Sequence, residues 1–132
     1  MGMATTMTRV WPKWLFRAAI TCEAVFAFAQ AVLAGGFLAG HYDFLAMHKE
    51  NATITGITGI VVILTAVLQW KPGGGPGWPI AVSAVLFAAE AGQIMTGYGR
   101  ILAVHVPLGV LIIVGIVTLL RWAWRAPARE IA

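Results

Sequence analysis

The chain is short of charge, of acid and of cysteine, and each shortage removes a class of protein. Charged residues are 11% of the 132, against roughly a quarter in soluble domains, so a water-facing surface cannot be assembled from this composition. Five residues are acidic and nine are basic. The resulting pI near 9.9 would suit nucleic acid, but the lysines and arginines form no patch. They stand between and outside apolar runs, where membrane topology accounts for them, and nucleic acid is not an expected partner. The one cysteine, Cys22, lies inside an apolar run and excludes an intrachain disulfide. A cleaved signal peptide is not expected either. The basic start MGMATTMTRVWPKWLFRAAI leads into an apolar run that is too long and has no convincing cleavage site, so it reads as a retained first helix.

What the chain has is apolar sequence: 60% hydrophobic residues and a mean hydropathy of +0.84. Crossing a hydrocarbon core takes about 20 apolar residues in a helix, and four runs qualify, at about 15–39, 45–70, 78–97 and 101–120. The linkers are short. KPGGGPG (71–77) cannot stay helical, with Pro72 and Pro76 bracketing three glycines, and Tyr98-Gly99-Arg100 is tighter still. The expectation is a single domain over 1–132, all-α: a four-helix transmembrane bundle, up-down-up-down. Arg9, Lys13, Arg17, Lys71, Arg121, Arg125 and Arg129 fall on one side and Lys49 and Arg100 on the other. That bias puts both termini in the cytoplasm, for a multi-pass protein of the cell (inner or plasma) membrane whose first partner is the lipid bilayer. All six tryptophans lie at the cytoplasmic ends of the runs, as an interfacial belt would.

The residues able to carry chemistry are few. His48 lies near the start of the second run and His105 near the start of the fourth, on helices of the same direction. At about 1.5 Å of rise per residue their rings fall at nearly one depth. Two imidazoles at one level on non-sequential helices are what axial coordination of a haem iron requires. One turn further on stand small residues, Ala52 and Gly109, with room for a flat macrocycle or for close helix packing. Lys49 and Arg100 lie at the outer rim, where propionates seek cations. The competing reading makes both histidines interfacial residues facing headgroups and water. His41, beside Tyr42 and Asp43, reads as a solvated loop residue, with a metal contact as the alternative.

Glu23 and Glu90 lie within the first and third runs. An intramembrane acid stands to lose roughly 2.5–3.5 kcal/mol on insertion scales, so each is expected to face the interior, bonded to Gln30, Gln93, Thr21 or Ser83. Polar glue between helices, a proton path and a substrate contact are the readings open. A faint repeat links the halves: an acid, a glutamine, a glycine and a histidine recur in order, with Gln-to-His spacings of 18 and 12 attributed to a longer first outer loop. Pro107, two residues after His105, is expected to loosen the fourth helix.

The stretches AQAVLAGGFLAG…LAMHKENA and GQIMTGYGRILAVHVPLGVLI resemble the four-helix unit of the haem A synthase family. That resemblance covers about residues 15–120. It implies a haem site near the outer face, with His48 and His105 as ligands of the iron. The family's catalytic unit carries a glutamate three residues before its first histidine, where this chain has Leu45, and the family has two units where this chain has one. What the resemblance implies is therefore haem b binding for electron transfer or haem carriage rather than oxidation of a haem methyl group. A homodimer would supply the second unit. Two other readings stand beside this cytochrome-like one. The chain could be a cofactor-free accessory subunit of a larger respiratory or assembly complex. It could also be a small proton-coupled transporter, similar to the small multidrug resistance transporters, with Glu23 as its acid.

Overall fold

The computed structural model describes residues 10–125, so Arg9 and Arg129 of the charge count lie outside the described residues. Four helices follow in order: α1 (Trp11–Leu38), α2 (Asp43–Trp70), α3 (Trp78–Tyr98) and α4 (Leu102–Arg125). Each is long and apolar enough to cross a membrane. The shortest, α3, has 21 residues, about 31 Å of helix against a hydrocarbon core of about 30 Å. Each of α2 and α3 packs on both of its chain neighbours, and α4 closes the ring on α1.

The local sequence explains where the helices start and stop. Pro12 and Pro79 sit in the first turns of α1 and α3, where the amide they lack has no helical partner. The turn after α1 closes with His41 N donating to Gly36 O at 3.1 Å, and the turn after α3 with Ile101 N donating to Thr96 O at 2.9 Å. Both are six-to-one closures that need a left-handed residue just before the donor. Gly40 fills that place at φ 97°, and Arg100 fills it at φ 56°. The two turns differ by a single residue, with 39–42 in one and 99–101 in the other. The unequal Gln-to-His spacing therefore comes mostly from longer helices, not from the longer loop that the sequence suggested. α4 runs unbroken through Pro107.

Burial is inverted relative to a water-soluble bundle. The interior holds Phe16, Ile20, Val62, Ile112, Ile116 and Leu119, but also Glu23, Asn51, Thr55, Thr65, Gln69, Ser83 and Glu90. The outside carries exposed Val25, Phe28, Val32, Ile57, Leu64, Val85, Leu111 and Val114. Where lipid replaces water, apolar side chains lose nothing by facing out, and polar groups gain by facing one another. The buried hydroxyls follow the same logic. Thr55, Thr65 and Ser83 each donate to a carbonyl three or four residues back in their own helix.

Cross-helix contacts tie the ends together. Near the start of α1, Arg17 Nε donates to Ala123 O near the end of α4 at 2.9 Å, and its guanidinium lies 5.0 Å and 5.3 Å from the rings of Trp14 and Trp124. Midway along α1, Phe26 O accepts from Asn51 Nδ2 of α2 at 2.9 Å.

Candidate functional site

Two polar layers lie inside the bundle, about two helical turns apart on α1. In the first, His48 of α2 and His105 of α4 come together with ring centroids 6.2 Å apart and planes at 60°. Both rings are half-buried. Each is fixed through Nδ1 by the main chain of the preceding helix: His48 Nδ1 donates to Gln30 O at 3.1 Å, and His105 Nδ1 to Gln93 O at 2.9 Å. Thr96 Oγ1 stands 3.4 Å from the same His105 nitrogen. A hydrogen on Nδ1 leaves Nε2 of each ring as the free lone pair, the tautomer a metal ligand needs.

Glycine shapes this layer. A β-carbon on Gly97 would lie 2.9 Å from His105 Cε1, so α3 packs flat against the imidazole. A β-carbon on Gly109 would lie 2.7 Å from Gln93 Nε2, so the space freed there receives the glutamine amide. Gln30 Oε1 and Gln93 Oε1 are buried beside the pair with no hydrogen-bond donor. Ala52 follows His48 by one turn and is half-buried. Lys49 is exposed, with Nζ 5.8 Å from the Tyr98 ring, and Arg100 is exposed in the turn beside it. His41 is exposed and packs on Phe44, with ring centroids 5.9 Å apart.

The second layer is acidic. Glu23 of α1 and Glu90 of α3 face each other with their carboxyl groups in hydrogen-bonding reach, and the Thr58 hydroxyl stands beside Glu23. Such a contact becomes a bond only when a proton lies between the two. Without it, Oε1 and Oε2 of Glu23 and Oε2 of Glu90 are buried with no donor. The partners expected from sequence are otherwise engaged: Thr21 Oγ1 donates to Arg17 O and accepts from Trp124 Nε1, and Ser83 donates to Pro79 O.

Sequence reasoning singled out both histidines, both acids and the small residues. It missed the Gln30 and Gln93 carbonyls as anchors, the contact of Gly97 with His105 and the meeting of the two acids. One signal for the last was available. Glu23 follows Trp11-Pro12, and Glu90 follows Trp78-Pro79, with the same interval of twelve residues from the tryptophan. Two helices that start alike carry their acids to one depth. Among the described residues, no three of His, Cys, Asp and Glu gather as a metal-binding group. No family model, no curated protein and no solved structure matches this chain.

Proposed function

We propose that the protein is a small intramembrane b-type cytochrome, in which His48 and His105 would hold one haem b through their Nε2 atoms. The observation that carries this reading is the pair itself: two rings with centroids 6.2 Å apart and planes at 60°, each held by Nδ1 on a glutamine carbonyl. A porphyrin supplies four ligands of its own, so two protein ligands suffice. A bare metal ion would need more, and no third His, Cys, Asp or Glu joins the pair among the described residues.

Haem bound in this way supplies one-electron chemistry. The chain's own residues supply the rest. The carbonyls of Gln30 and Gln93 fix the tautomer and aim of both rings, and Gly97 lets α3 lie against His105. Lys49 and Arg100 put two cations at the same end for carboxylate groups. With both histidines holding the haem, electron transfer or haem carriage would be the role, not activation of a bound ligand. The resemblance to the haem A synthase unit supports the same ligands.

The reading includes an up-down-up-down bundle in the cell membrane with both termini cytoplasmic. The contacts of Arg17 with Ala123, and of Phe26 with Asn51, support the alternation, and the lysine and arginine distribution supports the orientation. Detergent-purified protein should show a Soret band and split reduced visible bands, and His105→Ala should lose them. A protein that stays colourless after haem addition overturns the assignment.

A further inference from the structure

The acidic layer is a different site from the histidine layer. Glu23 lies seven residues before Gln30 on α1, about 10 Å along the helix from the histidine anchor. We propose that Glu23 and Glu90 form an intramembrane proton-binding site, in which one proton is held between the two carboxyl groups and exchanged through a single water molecule beside them.

Four observations support it. Glu23 is 2% exposed and Glu90 5% exposed, and three of their oxygens have no donor. They line a cavity of about 10 Å³ together with Ile20, Gly59, Val62 and Ser83, close to the space one water molecule needs. The Ser83 hydroxyl offers a lone pair rather than a hydrogen, because it has already donated to Pro79 O, and the Thr58 hydroxyl, which bonds Thr55 O, is the one hydroxyl beside Glu23. The backbone is built around the acid as well, since a β-carbon at Gly59 would lie 2.8 Å from Glu90 Oε2.

A site lined by carboxyl oxygens, three of them without a hydrogen-bond partner, calls for a hard cation. Two carboxylates cannot both stay charged side by side away from water, and one shared proton relieves both their repulsion and their missing hydrogen bond. Among the described residues, no other titratable group lines the cavity beside the pair. α2 presents Thr58, Gly59 and Val62, and α4 presents Ile116. The nearest basic residue along α1, Arg17, bonds Ala123 O through Nε. The site takes its proton from hydronium and returns it to water, with no change in any covalent bond to carbon.

The test uses the full chain in lipid vesicles at neutral pH. Infrared spectra should contain the carbonyl band of a protonated carboxylic acid that shifts in D₂O, persists in high sodium chloride and is lost in Glu23→Gln/Glu90→Gln. Dicyclohexylcarbodiimide, which attacks protonated carboxyl groups in membranes, should modify wild-type Glu23 or Glu90 and spare exposed Glu50, as mapped by mass spectrometry. This second arm does not depend on whether the double variant folds. Absence of both the band and the modification overturns the proposal. So does loss of either on adding sodium, which would make the site an alkali-ion site instead. Neither readout involves haem, so the two proposals fail separately.

Discussion

Gly59 of α2 makes room for the carboxyl group of Glu90 on α3. A methyl group there would stand 2.8 Å from Glu90 Oε2 and 3.2 Å from Phe87 Cδ2. Gly56, one turn earlier on the same helix, has nothing within 4 Å of the corresponding position. Gly59→Ala should therefore destabilise the bundle by about 1–3 kcal/mol, the range for forcing a methyl group into a packed interior. Gly56→Ala should stay within about 0.5 kcal/mol of wild type. Reversible unfolding in mixed detergent micelles measures both, and equal effects would refute this account of the packing.

Gly97 has the same relation to His105. With a β-carbon 2.9 Å from Cε1 and 3.2 Å from Nδ1, Gly97→Ala must push the imidazole off its bond to Gln93 O. Loss of such outer-shell support weakens metal sites by about 10–100-fold, so haem titration of the variant should give an affinity at least about tenfold lower. Gly92→Ala, whose new methyl group would meet Leu108 at an ordinary 3.9 Å, should leave haem binding unchanged.

Arg17 holds the other end of the bundle. Its planar guanidinium bonds Ala123 O through Nε while lying near the Trp14 and Trp124 rings. A lysine keeps the charge but has neither the Nε donor nor the flat face. Arg17→Lys should therefore destabilise the protein by about 1 kcal/mol, near the usual worth of one such bond or cation–π contact. Unchanged unfolding would assign Arg17 to orientation alone.

Orientation has its own test. In a Cys22→Ser background, Arg100→Cys and His41→Cys should react in intact cells with a maleimide that cannot cross membranes. Pro76→Cys should react only after the cells are opened. All three positions are exposed. The reverse pattern would place the termini outside the cell, against the lysine and arginine bias.

Composition and run length were enough to read four helices long and apolar enough to cross a membrane, because lipid imposes a length and an apolar content that any single segment must meet alone. Helix ends fell within a few residues of the runs. Residues 71–77 marked the break between α2 and α3, whereas the start of α1 at Trp11, with Pro12 in its first turn, lies four residues before the run read from sequence. The depth of His48 and His105 was also legible, since rise per residue converts sequence position into height.

What stayed hidden was which atoms meet across helices. The glutamine-to-histidine pattern named the right residues, but the acceptor is the main-chain oxygen of Gln30 and Gln93, which every residue carries and no side-chain pattern reveals. Glu23 and Glu90 looked like separate acids in need of amide or hydroxyl partners, and folding turned them toward each other. A helix's height is set along its own axis by local geometry. Its rotation is set by neighbours that approach from elsewhere in the chain, and facing partners are a property of rotation.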